Sequence, residues 1–232
     1  MDSNTRKLDV LKTVIETFVH TNQPVGSMQV VEQLPYEVSS ATVRNDLVEL
    51  TEFGLLKQPH TSAGRVPTDE GYRHYVKVLA GERQELSRRQ REALAAHFAK
   101  LQDLQAKYRK AAELLAEISG NVGFLMDDAR NVYMSGLRNA ARMPEFEDAR
   151  FRANLLEALE QPESLMNELA NNLVSEHPNV IVGNPRMHNT AIVVSNFGPT
   201  GKRVISIIGP SRMQYRKALP LVEYMKELLD EI

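Results

Sequence analysis

The sequence predicts a two-part α+β chain: an N-terminal winged helix-turn-helix, then a long helix, then a mixed α+β domain. Three observations lead there. Residues 7–53 hold three short stretches of helical apolar spacing separated by tight breaks. A short hairpin pattern follows the third stretch at once. After residue 119 the texture changes to short β-rich runs mixed with helical ones. The expected domains are residues 1–80, the winged helix; 81–119, a linking helix; and 120–232, the α+β domain.

Within 7–20, Leu8, Leu11, Ile15, Phe18 and Val19 fall on one helical face. Thr21-Asn22-Gln23-Pro24-Val25-Gly26 breaks that helix, and Ser27 is placed to cap a second one built on Val30, Val31 and Leu34. Pro35-Tyr36 ends it. Ser39 or Ser40 caps the third helix, which runs to about Phe53 with Val43, Leu47 and Leu50 inward and Gly54 as its C-terminal stop. Leu55–Gln58 and Arg65–Pro67 read as the two strands of a wing. Thr68 then caps a fourth helix through Tyr72, Tyr75, Val76 and Leu79.

Residues 82–119 form the longest periodic stretch, with neither Pro nor Gly inside it. Leu94, Leu101, Tyr108 and Leu115 share one heptad position, and His97, Leu104, Ala111 and Ile118 share the other. Such a seam either pairs two chains, through Leu94, Leu101, Leu104, Tyr108, Leu115 and Ile118, or packs the helix on its own domains. Beyond it, 122–126, 180–182, 191–194 and 203–208 read as strands, and Gly198-Pro199-Thr200-Gly201 turns the last two into a hairpin. Residues 149–174 read as one or two helices around Pro162, and 212–231 as a terminal helix containing Pro220.

Composition narrows the function classes. At 42% hydrophobic and 25% charged, the chain is an ordinary globular one. It has no run of about 18 apolar residues that would span a membrane and no leader pattern, so a cytoplasmic protein is expected. The absence of cysteine removes disulfides, thiolate metal sites and a thiol nucleophile. The six histidines are scattered without ligand spacing, the glycines form no phosphate cradle, and no serine sits in a nucleophile setting. The expectation is therefore a non-enzyme with no cofactor and no metal.

The third helix carries the chemistry that the pattern favours. With Val43, Leu47 and Leu50 inward, Ala41, Asn45, Val48 and Glu49 turn outward, flanked by Thr42 and Arg44. Arg44 suits guanine O6 and N7, and Asn45 suits adenine N6 and N7, as base contacts from a recognition helix in the major groove. Ser40 and Thr42 are short donors suited to phosphate. The wing tip supplies His60, Thr61, Ser62 and Arg65, and Tyr72 and Arg73 open the next helix close by, with Tyr72 equally suited to the core. Net charge weighs the other way. It is −2 for the chain, and residues 1–80 carry eight Lys/Arg against ten Asp/Glu, so contact with DNA must rely on a few placed cations.

Specific strings then point to a family. Val38-Ser39-Ser40-Ala41-Thr42-Val43-Arg44-Asn45-Asp46-Leu47, the run Gly54-Leu55-Leu56-Lys57-Gln58-Pro59-His60-Thr61-Ser62-Ala63-Gly64-Arg65-Val66-Pro67-Thr68 and Gly71-Tyr72-Arg73 closely resemble the HrcA heat-inducible transcription repressors. Val132-Tyr133, Gly136-Leu137, Asn139, Pro144-Glu145-Phe146 and Ile208–Tyr215 are similar to that family's GAF-like domain. The resemblance implies a dimer on an inverted-repeat operator of double-stranded DNA, repressing heat-shock chaperone operons and kept active by a GroEL-type chaperonin. It also implies an inserted domain of about a hundred residues, for which the segment after Met126 leaves no room. Dimerisation would then fall to the 94–118 seam or to a shortened GAF-like domain. The alternatives are a ligand sensor acting through the C-terminal domain, which ligand-dependent thermal stabilisation would reveal, and a protein-docking adaptor.

Overall fold

The computed structural model describes residues 2–61, 63–82, 85–160, 177–184 and 187–232. The chain divides into two compact units, Met1–Glu82 and Arg83–Ile232.

In the first unit, α1 (Ser3–Thr21) buries Val10, Leu11, Val14, Ile15 and Val19 and stops at Asn22, whose left-handed backbone lets its N–H reach the Phe18 carbonyl at 2.8 Å. α2 (Ser27–Gln33) begins one residue earlier than expected. Gly26, not Ser27, is its cap, and the Gly26 N–H donates to the Gln29 side chain at 2.9 Å. α3 (Ser40–Glu52) is capped by Ser39, whose hydroxyl accepts the Thr42 N–H at 3.0 Å, and it ends at Gly54 with φ +72°. β1 (Leu56–Lys57) and β2 (Val66–Pro67) pair antiparallel as the wing, and α4 (Asp69–Gly81) follows with Thr68 as its cap. Three helices, a hairpin and a fourth helix reproduce the expected layout.

The second unit begins with a departure. The periodic stretch forms two helices, α5 (Arg88–Ala99) and α6 (Leu104–Ser119), and not one continuous linking helix. Asp103 is the cause: its carboxylate accepts the Ala106 N–H at 2.6 Å, which starts a new helix where the old one would have continued. A pairing seam along the stretch is interrupted for the same reason. Leu94, Tyr108 and Leu115 are buried within this chain, Leu101 and Ile118 are half-buried, and Leu104 is exposed. The heptad spacing records α6 packing on a sheet and α5 burying Leu94 within the chain.

That sheet has five antiparallel strands in the order β4-β3-β7-β6-β5, where β3 is Val122–Met126, β4 Val132–Ser135, β5 Asn179–Asn184, β6 Met187–Phe197 and β7 Arg203–Pro210. One face carries Val122, Phe124, Ile192, Val194, Val204 and Ile208 against Phe151 and Leu155 of α8 (Ala149–Glu160) and Ala140 of α7 (Leu137–Ala141). The alternate residues Leu125, Val193, Ile205 and Ile207 are equally buried, because α6 and α9 (Tyr215–Asp230) cover the second face. The four strands expected from sequence are all present. The glycine turn joins β6 to β7, with Gly198 at φ +76° and Gly201 at +63°. β4 was not foreseen as a strand, and the part of the 149–174 helical reading beyond Glu160 lies outside the described residues.

Candidate nucleic-acid interface

The frame that holds α3 is polar as well as apolar. Val43, Leu47 and Leu50 face the core as expected, and so does Asp46, which is 1% exposed. A carboxylate at that depth needs a cation. Arg6 on α1 supplies it in a two-pronged pair, Nε to one oxygen at 2.7 Å and Nη2 to the other at 3.0 Å. The hydrogen bond to Asp46 raises the Arg6 pKa above its already high value, so the guanidinium stays charged. One turn further along α3, Lys7 pairs with Glu49 at 2.5 Å. Glu49, expected to point outward, is half-buried and turned towards α1. The turn between α2 and α3 is tied to α1 as well, through the Tyr36 hydroxyl donating to Asp9 at 3.1 Å. Burial first, then that bond, push the Tyr36 phenol up to about 12.

Two of the three acids of α3, Asp46 and Glu49, are thus matched by cations from α1, and the third, Glu52, lies exposed in its last turn. What remains outward between Ser40 and Glu49 is Ala41, Arg44, Asn45 and Val48, all exposed. Among the described residues Arg44 forms no ion pair. Ser40 and Thr42, expected as phosphate donors, are half-buried and already engaged. Ser40 Oγ lies 3.0 Å from Ser27 Oγ, and Thr42 Oγ1 lies 2.8 Å from Ser39 Oγ. They stitch helix starts together and sit at the margin of the outward strip.

The wing is stapled at both ends. Val25 and Arg65 exchange backbone hydrogen bonds at 2.9 and 2.8 Å, which adds the α1–α2 turn as a third short strand beside the hairpin. This approach is so close that a Cβ at Gly64 would collide with the Val25 backbone. At the tip, Gln58 Nε2 donates to the Thr61 and Ala63 carbonyls at 2.8 and 3.0 Å, and the Ala63 N–H donates to the His60 carbonyl at 2.9 Å. At the base, Thr68 Oγ1 donates to the Gly54 carbonyl at 2.6 Å. Gln58, Gly64 and Thr68 in this string therefore each have a mechanical reason to be there.

Arg65 lies at the wing's base and not its tip. Its Nε donates to Thr51 Oγ1 at 3.0 Å, and that hydroxyl donates in turn to the Leu47 carbonyl at 2.7 Å. The guanidinium is thereby held against the C-terminal half of α3. Arg44, Val48, Gln58, Thr61 and Arg65 line one crevice of about 450 Å³ between α3 and the wing. His60 and Thr61 are exposed at the tip, while Ser62 lies outside the described residues. Tyr72 does not belong to the surface: it is 3% exposed, so its role is in the core. Arg73 is half-buried and paired with Glu70, one turn earlier on α4.

Sequence reasoning missed Arg6, Asp46, Thr51 and Gln58. Asp46 was findable. It sits between Val43, Leu47 and Leu50 on the inward arc of an amphipathic helix, where a carboxylate demands a partner. The others depend on contacts across 14 or 40 residues, or on a loop's internal geometry, which periodicity does not report.

Matches to known proteins agree with this geometry. Residues 15–68 match the DeoR-like helix-turn-helix domain, and residues 70–219 match the HrcA protein C terminal domain. The fold and these matches define a two-part protein with an N-terminal helix-turn-helix domain. The chain belongs to the HrcA family, relatives in which are named heat-inducible transcription repressors. It is 45% identical over 117 residues to the heat-inducible transcription repressor HrcA of Parafrankia sp. (strain EAN1pec), covering 50% of this chain and 34% of the relative. It is 41% identical over 132 residues to the HrcA of Gloeobacter violaceus, covering 57% and 36%. The chain thus spans about a third of the length of these curated relatives. The HrcA of Pelotomaculum thermopropionicum matches all of this chain and 97% of its own length at 23% identity, in an alignment of 339 residues against the 232 present here. A crystal structure of a hypothetical protein shares the fold, with a TM-score of 0.77 at 18% identity over 100% of this chain and 97% of the other. Among the described residues no helix is long and apolar enough to cross a membrane.

Proposed function

We propose that this chain is a sequence-specific DNA-binding repressor that binds an inverted-repeat operator as a dimer and represses heat-shock chaperone operons. The observation that carries the reading is the exposed strip on α3. Arg44 and Asn45 stand outward from a helix of whose three acids Asp46 and Glu49 are paired with α1, next to a wing held by Gln58, Gly64 and Thr68. This is how a chain of net charge −2 can meet a phosphate backbone. The heat-inducible setting follows the names of the relatives. A second copy of the chain and a GroEL-type chaperonin are the further partners on this reading. In its division of labour, Arg44 and Asn45 read bases. Ser40, Thr42, His60, Thr61 and Arg65 meet the backbone, with Arg73 beside them.

The test is binding of the purified full chain to an inverted-repeat duplex and to a scrambled one, across about 50 to 200 mM salt. The expected result is a strong preference for the repeat, two chains per duplex and affinity that falls steeply with salt. Arg44→Ala should cost about 1–3 kcal/mol, concentrated at one base position. Equal weak binding to both duplexes would overturn the repressor reading.

A further inference from the structure

We infer, building on the DNA-binding reading above, that Val48 reads the 5-methyl group of a thymine and so fixes one T·A pair in each half-site. The core direction of α3 is set by four buried residues, Val43, Asp46, Leu47 and Leu50. At about 100° per residue, the line opposite that direction passes through Ala41, Asn45, Val48 and Glu52, with Arg44 displaced towards the wing. Val48 therefore lies on the outward strip, on the side nearer Arg44. Its side chain is 40% exposed and lines the crevice that Arg44, Gln58 and Arg65 also line.

Val48 is one of the exposed large hydrophobic residues, and its β-branched side chain is not a helix-favouring choice at a surface position. Its neighbours select the occupant. Arg44 and Asn45 are built to approach base edges in the major groove, and the C5-methyl of thymine is the apolar group that the groove presents there. Val48 touching that methyl discriminates thymine from cytosine at the base that it faces. Ala41, two turns towards the helix start, is small enough to let the strip approach.

The experiment uses the full chain. A randomised duplex pool gives the preferred binding sequence of the wild type. Each thymine of that duplex is then replaced singly by deoxyuridine, which removes only the methyl group. At one thymine per half-site the wild type should weaken about fourfold, the effect of one buried methyl group. Val48→Ala should bind the parent duplex about fourfold more weakly and ignore the replacement. Val48→Thr, which keeps one methyl, should retain part of the sensitivity, and undiminished binding of both variants to a scrambled duplex shows that they are folded. If no thymine is methyl-sensitive in the wild type, or if Val48→Ala is as sensitive as the wild type, the inference is wrong. If the pool returns no preferred duplex, the DNA-binding reading fails first and Val48 falls with it.

Discussion

Asp46 ties the placement of α3 to the stability of the first unit. Its carboxylate is 2% exposed and its partner Arg6 is 23% exposed, so the pair is sunk on one side and wet on the other. Removing one partner leaves a charge with nothing to satisfy it, which costs more than the intact pair contributes. Asp46→Ala should destabilise the first unit by about 2–3 kcal/mol, read as a lowered denaturant midpoint. Asp46→Leu, which fills the volume, should still leave Arg6 stranded. The double change Arg6→Met with Asp46→Leu should recover most of the loss. A double variant no better than Asp46→Ala would mean that the pair's geometry, and not its desolvation, sets the cost. Because Asp46 is flanked by Asn45 and Leu47 on α3, the single variants should also loosen DNA binding.

At the scale of elements, the wing tests whether fixing a loop matters for recognition. Gly64 touches the Val25 backbone, and an added methyl group has no room unless the two segments part. Gly64→Ala should break the Val25–Arg65 pairing, at about 1–3 kcal/mol. The helices should persist, since Gly64 packs against none of their buried faces. Operator affinity should fall more than helical content, and circular dichroism beside a binding titration separates the two. If affinity is untouched, the wing is not a contact element.

The elements themselves were largely legible beforehand. Periodicity found α1, α2, α3 and α4, and alternation or apolar runs found β3, β5, β6 and β7. It failed where a polar side chain overrides an apolar pattern. Asp103 divides a stretch that carries no breaker residue, and the spacing of Leu94, Tyr108 and Leu115 fits a pairing seam as well as it fits their actual burial in the chain. The site was legible in part for a related reason. Arg44, Asn45 and Val48 can be placed by angle on one helix, but the engagement of Thr42, Ser40 and Arg65 depends on partners that only the folded chain brings near. Tyr72 was evenly balanced in sequence between surface and core, since a phenol suits either, and its 3% exposure resolves it.

For the whole molecule, the two units carry different parts of the proposed task. Met1–Glu82 has its own core in Val10, Ile15, Val30, Val43, Leu50 and Tyr75, and it contains every residue proposed to touch DNA. Arg83–Ile232 has a core of its own around a five-stranded sheet. Arg83 is where the division falls, so a fragment of residues 1–82 should fold, with a cooperative thermal transition. It should bind a single half-site through the same residues and lose affinity in Arg44→Ala as the full chain does. What it should lack is the second half-site. Joining two recognition units through a shared second unit makes the second contact intramolecular, a gain of about 10²–10⁴ in affinity for a correctly spaced repeat. The fragment should therefore bind an inverted repeat no better than an isolated half-site, while the full chain prefers the repeat by that factor and loses the preference when the spacing changes by half a helical turn. A fragment that matches the full chain on the repeat would place dimerisation within residues 1–82 and leave the α+β unit with some other duty.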